Sequence, residues 1–339
     1  MADVLAPRAT GAFATAAARR RFRAVVAGLA AAAVLVVVGT LAWDNPMPVG
    51  STGFWRVAEL RATSLAVIVV VAFCQGIATV AFQTVTGNRI LTPSIIGFES
   101  LYRVVQTGAV FLLGAGGVLA VQGVGPYLAQ VALMVAFAGL LFGWLLSGRF
   151  ANLQIMLLIG IVLGGGLGAL ATFLQRLLTP TEFDILTARL IGSVANADAS
   201  YLPVAVPLAL GAGGLLWARS RNLDVLALGR EAATCLGVQH RRETVRVLLL
   251  VSVLMAVSTS LVGPMTFFGF LAAMITYQLA DTFEHRYLFP VAWLTGFVVL
   301  GGAYFVLRHV FYAQGAVGVI IEIVGGVFFL GHLLRKGRL

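Results

Sequence analysis

The sequence predicts an all-α, polytopic membrane protein of about ten transmembrane helices with both termini in the cytoplasm. Three observations carry that prediction. Of 339 residues, 60% are hydrophobic and only 11% are charged, which does not describe a water-soluble globule. The apolar residues come in long continuous runs, without the alternation that barrel strands require. The charges lie between the runs and are mostly arginine: the 23 basic residues include one lysine, Lys336. A net charge of +10 could suggest nucleic acid, but basic residues dispersed among apolar runs fit membrane topogenesis instead.

The basic N-terminus, residues 1–23, looks like a signal-peptide n-region. The run that follows, Ala24–Trp43, is 20 uncharged residues, long enough to cross ~30 Å of hydrocarbon, so it reads as an uncleaved first helix. Ala62–Val85 is the second span. No charge occurs between Arg103 and Arg149, a stretch too long for one crossing, and "GAGG" at 114–117 with "QGVGP" at 122–126 divides it into spans three and four. Phe150–Gln175 is the fifth span and Ala199–Ala218 the sixth. A charged segment, 219–246, follows. Val247–Ala280 is again uncharged and is split at Gly263-Pro264 into spans seven and eight, because proline cannot continue the hydrogen-bond ladder. Pro290–Leu307 and Ala316–Leu334 are spans nine and ten, and 335–339 is a basic tail. With the N-terminus placed inside, 17 of the 23 basic residues face the cytoplasm. Five (Arg56, Arg61, Arg176, Arg189, Arg308) face outward and Arg103 sits in span three. That asymmetry sets the orientation.

Several chemistries are excluded or unsupported. A phosphate-binding GxxxxGK[ST] loop needs a lysine, and Lys336 has no glycine loop before it. Cys74 and Cys235 lie in unlike segments and show no disulfide or metal spacing. His240, His285, His309 and His332 are scattered without ligand spacing, so no metal site is expected. Three ionisable residues fall inside spans. Glu99 and Arg103, four apart, are expected to pair with each other; Glu322 has no local partner. The shortage of buried carboxylates argues against the rival reading, a stand-alone ion-coupled secondary transporter or channel. Glycine is abundant, 39 residues. Gly160, Gly164, Gly165, Gly166 and Gly168 in span five, with Gly325 and Gly326 in span ten, are candidates to line a permease interface or translocation path.

The segment "RNLDVLALGREAATCLGVQHRRETVR" concentrates charge on the cytoplasmic face. Leu228, Gly229, Arg230, Glu231, Ala232 and Ala233 open a short helix; Leu236 and Gly237 end it, Gly237 suiting a left-handed cap. This segment resembles the coupling element of permeases in the iron-chelate and cobalamin ATP-binding-cassette importer family (FecCD-like, type II). Other motifs are similar too. "ELRATSLAV" at 59–67 sits where the family has Arg-Leu-Pro-Arg, with Arg61 matching the first arginine. "LVGPMTFFGFLAA" at 261–273 resembles the family's turn into span eight. "FEHRYLFP" at 283–290 resembles its Asp-His-Arg-x-Leu-x-Pro loop, and "GVIIEIVGGVFFLGHLL" at 318–334 its closing helix. "TGNRILTPSIIGFESLY" at 86–102 resembles the subgroup that imports ferric siderophores through two different permease chains. The chain departs from the family at Ile275–Leu279, where many members have Pro-His-x-x-Arg.

The resemblance implies a non-enzymatic permease subunit that translocates an iron–siderophore complex across the bacterial inner membrane. Implied partners are a second homologous permease chain, two ATP-binding subunits, and a periplasmic or lipid-anchored substrate-binding protein. It also implies that ATP and magnesium are bound by the partner ATPase and no cofactor by this chain, and it gives no role to nucleic acid. The ATPase is expected on Leu228–Gly237. Arg56, Arg61 and Arg308 are expected to meet acidic residues of the binding protein.

Overall fold

The computed structural model describes residues 12, 13, 15–48, 50–120, 123–147, 153–195, 197–312 and 315–336. Most of the basic N-terminus (1–11 and 14), Arg149 and the end of the tail (337–339) lie outside the described residues. In order, the helices are α1 (Ala16–Ala42), α2 (Thr52–Thr86), α3 (Phe98–Ala120), α4 (Val124–Ser147), α5 (Leu153–Gln175), α6 (Pro180–Leu190) and α7 (Leu202–Ala218). They continue with α8 (Ser220–Leu226), α9 (Arg230–Cys235), α10 (His240–Val262), α11 (Thr266–Ala280), α12 (His285–His309) and α13 (Val317–Lys336). No strand occurs among the described residues. Seven of the helices are individually long and apolar enough to cross a membrane, and α11 and α13 are shorter apolar helices. With α3 they make the ten expected spans.

The breaks fall where glycine and proline put them. Gly263 ends α10 at φ 85°, a left-handed backbone that side chains resist, and Pro264 follows. Gly114 interrupts α3 at φ 68°. A span boundary read from charge alone was too short at several ends: α1 begins eight residues before Ala24 and takes in Arg19–Arg23, and α12 begins at His285 with Pro290 inside it.

α2 is the centre of the bundle, packed against α7, α10, α11 and α12. Its side chains from Val67 to Phe82 are almost all buried, including Gln75 and Thr79. Gln75 donates to Ser258 of α10 at 3.2 Å, as a buried amide must. Small residues allow close crossing: a Cβ on Gly76 would stand 2.8 Å from the Ala292 carbonyl of α12.

α6 was not anticipated. It lies outside the spans, between α5 and α7, and starts at a capping box. Thr179 and Glu182 satisfy each other's backbone groups, and Pro180 occupies the first turn. The Thr179 backbone N–H and hydroxyl, both donated to it, hold the Glu182 carboxyl below the usual carboxylate range. Beyond α6, Ser193 N–H donates to Val262 O at 2.9 Å and Gly318 N–H to Gly192 O at 2.8 Å. Thus the α6–α7 connection, the α10–α11 turn and the start of α13 meet.

Candidate functional site

The charged segment 219–246 carries two short helices, α8 and α9, ahead of the start of α10. α8 turns directly off α7 at Arg219 and buries Leu223 and Leu226. α9 is set off by Gly229 at φ 94° and closed by Gly237 at φ 82°. Val238 N–H reaches Ala233 O at 2.9 Å and Gly237 N–H reaches Thr234 O at 3.0 Å, the paired bonds of a Schellman cap. Gly237 therefore occupies the left-handed position read from the sequence.

Within α9 and its flanks, Ala233 is buried, whereas Arg230 and Glu231 are exposed. Leu228 and Leu236 stand 63% and 61% exposed on either side. Two large apolar side chains beside a charged pair make a compact surface suited to a protein partner. Ala233 itself points into the chain, so a bulky residue there would test folding and not docking.

On the opposite face the three arginines separate. Arg61 is 3% exposed. Its guanidinium donates to the carbonyls of Thr40, Leu41, Trp43 and Asp44, at 2.7–3.4 Å. Thr40 and Leu41 are among the carbonyls that the C-terminus of α1 leaves without helical partners, and Trp43 and Asp44 follow directly after it. Arg61 is thus a cap donated by α2 to α1, and the expectation that it meets a soluble protein is corrected. Arg308 is half-buried beside the Tyr304 hydroxyl, 3.4 Å away. Arg56 is exposed.

The expected Glu99–Arg103 pair is also corrected. Glu99 is buried and accepts from the Thr266 hydroxyl of α11 at 2.6 Å, while Arg103 points to the exterior. A helix start at Phe98 turns Glu99 inward, so the long-range hydroxyl takes it before the local arginine does. Glu322 is exposed on α13.

The glycines of α5 divide by face. A Cβ on Gly160 would meet Ile96 at 2.5 Å, and one on Gly164 would stand 3.0 Å from Gly97 Cα. Both are filled by the 3-10 turn Pro93–Ile96 that leads into α3. Gly165 and Gly166 face open space, as does Gly326 of α13, whereas Gly325 packs on Phe267 of α11. Toward the outer side, a cavity of about 450 Å³ is lined by Tyr102, Gln106, Tyr127, Gln130, Arg189 and Tyr201.

This arrangement agrees with known proteins. The FecCD transport family matches residues 24–336. The petrobactin import system permease protein FatC of Bacillus anthracis is 46% identical over 332 residues, covering 98% of this chain and 94% of the relative. YclO of Bacillus subtilis (strain 168), also a petrobactin import system permease protein, is 34% identical over 296 residues, covering 87% and 90%. A solved metal-chelate type ABC transporter in an inward-facing conformation superposes with TM-score 0.80 at 21% identity. It covers 93% of this chain and 99% of that one, and so shows the fold. These matches favour an importer permease, whose ATPase is a separate subunit, over a stand-alone ion-coupled carrier. By its helices, its cytoplasmic segment and these matches, the chain belongs to the FecCD transport family.

Proposed function

We propose that this chain is one of two different permease subunits that carry a ferric siderophore of the petrobactin kind across the bacterial inner membrane. Its mechanism is conformational: ATP and magnesium act on two separate ATP-binding subunits, whose closure displaces α9, and the helices around the path alternate their opening. The observation that carries the reading is the presented α9 surface, Leu228 and Leu236 flanking Arg230 and Glu231, in a chain 46% identical to a petrobactin import permease. A second permease chain fits the open face of α5 at Gly165 and Gly166 and of α13 at Gly326. A periplasmic or lipid-anchored binding protein fits the outer face, where Arg56 and Arg308 remain the candidate contacts.

The test is uptake of iron from purified ferric petrobactin, set against ferric citrate and ferric enterobactin, in cells lacking their own importers and expressing this chain with its neighbouring genes. Uptake confined to petrobactin supports the assignment; transport of another chelate instead refutes the substrate. For docking, Leu236→Asp places a charge in the apolar contact. We expect the ATPase to be lost on co-purification and uptake to fall by at least about a hundredfold, the scale of a central interface residue. An ATPase that stays bound to a Leu236→Asp, Leu228→Asp double variant would place the contact elsewhere.

A further inference from the structure

α8 and α9 are neighbours in sequence but are held quite differently. Among the described residues, α9 packs chiefly on α8 and α10. α8 is fixed at two points to helices that run the depth of the bundle. The first is Glu243, in the opening turn of α10 and 4% exposed. Its Oε1 accepts from Arg219, the junction of α7 and α8, and from Asn222 of α8 at 2.7 Å; its Oε2 accepts from Arg246 at 3.2 Å. The second is Asp224 of α8, whose Oδ1 accepts the His285 backbone N–H at 2.8 Å and lies 2.6 Å from His285 Nδ1. The far side of that ring, Nε2, lies 2.7 Å from the Thr84 hydroxyl, near the end of α2. His285 is the first residue of α12 and its side chain is 2% exposed. Thr84 Oγ1 also lies 3.0 Å from Val80 O.

We infer that Glu243 and His285 are positioning residues that pass the displacement of α9 through α8 into α10, α12 and α2. This rests on α9 being the ATPase contact. Buried polar and charged groups with several fixed partners tolerate little change of geometry, because a lost partner leaves a polar group or a charge uncompensated. A packed helix then moves as a body and not by bending. α10 (His240–Val262) runs on from Glu243 to its end at Val262, and Val262 O holds Ser193 of the α6–α7 connection. A push at the cytoplasmic clamp is thereby carried to the turn where α10, α11 and α13 meet.

The experiment uses the complete transporter, both permease chains with the ATPase and binding protein, in proteoliposomes loaded with ferric petrobactin outside. Three quantities are read: ATPase recovered on co-purification, ATP hydrolysed, and iron transported per ATP. For Glu243→Gln and for His285→Leu we expect recovery unchanged and hydrolysis retained, with iron per ATP lowered about tenfold, the size of a typical coupling between sites. Thr84→Val removes only the link to α2 and should give a smaller loss. His285→Asn, which can still reach Asp224, should recover part of the His285→Leu defect. If a clamp variant does not assemble, Glu243→Asp and Thr84→Val carry the same test. Unaltered iron per ATP in the assembled variants overturns the inference, and so does loss of the ATPase from them, which would make the clamps part of the docking surface. Retention of ATPase by the Leu228→Asp, Leu236→Asp double variant would instead fail the docking assignment on which the inference rests, a result separable from unaltered iron per ATP in the clamp variants.

Discussion

The two faces of α5 carry similar glycines for opposite reasons. Gly160 and Gly164, with Gly168 one turn further, lie along one side, and there the 3-10 turn at Pro93–Ile96, Gly97 and Ser100 come close. Gly165 and Gly166, one and two residues along, look out on open space between exposed Leu163 and Leu170. Residues four apart share a helix face while neighbours do not. One run of small residues thus holds this chain together and the adjacent one is left for something else. Lipid chains are as apolar as leucine, so a smooth small-residue surface gains association energy only by close backbone contact. That is why the outward glycines point to a second helix.

The largest expected effect breaks the inward face. Gly164→Leu puts a Cβ 3.0 Å from the Cα of Gly97, so backbone and not a flexible side-chain end must shift to make room. Overpacking of this kind costs about 1–3 kcal/mol or more. The purified chain should melt several degrees lower in detergent, and iron uptake should fall with the amount of folded protein. A Gly164→Leu chain as stable as the parent would mean that the 3-10 turn does not press on α5.

How far all this could be read in advance depends on range. The ten spans follow from uncharged runs, and the breaks at Gly114 and Gly263-Pro264 from backbone chemistry that acts within a few residues. α6 has a local signature too, Thr179-Pro180 with Glu182, but its eleven residues carry no long apolar run to draw attention. The misread residues are those whose partners are distant in sequence. Arg61 looks like an exposed end-of-span charge until the carbonyls of Thr40 to Asp44 are folded against it. Glu99 has an arginine four residues away and binds Thr266 instead, 167 positions along. α8 is hidden because its clamps, Glu243 and His285, belong to α10 and α12. Motif resemblance singled out the charged segment 219–246, and its geometry then showed which of its residues face outward.

The next effect sharpens the comparison by leaving the chain intact. Gly165→Leu adds a side chain where a Cβ meets nothing within 4 Å, so melting of the isolated chain should shift by no more than about a degree or two, as surface substitutions do. Recovery of the second permease chain should fall about tenfold, equivalent to about 1.4 kcal/mol of association. Gly326→Leu on α13 should behave in the same way, and Gly325→Leu, which strikes Phe267 Cβ at 2.6 Å, should instead destabilise the chain. Co-purification with a tag on this chain separates these outcomes. Full recovery of the partner with both Gly165→Leu and Gly326→Leu would remove this face as the interface.

The smallest effect lies at Gly168, on the inward face but at its loose end. A Cβ there would stand 3.7 Å from Ser100 Oγ, an ordinary van der Waals contact. Gly168 has no left-handed backbone to protect, so alanine fits its conformation and reduces the freedom of the unfolded segment. The helix gains from the substitution by up to about 1 kcal/mol, less whatever the Ser100 contact takes back. Gly168→Ala should therefore raise the melting temperature slightly and leave iron uptake and recovery of the second chain unchanged. A loss of uptake at equal stability would mean that this end of α5 approaches α3 more closely during transport than in the present state. The inward face would then be a sliding contact and not a fixed one, and Gly164→Leu and Gly168→Ala would differ in whether they block motion or folding.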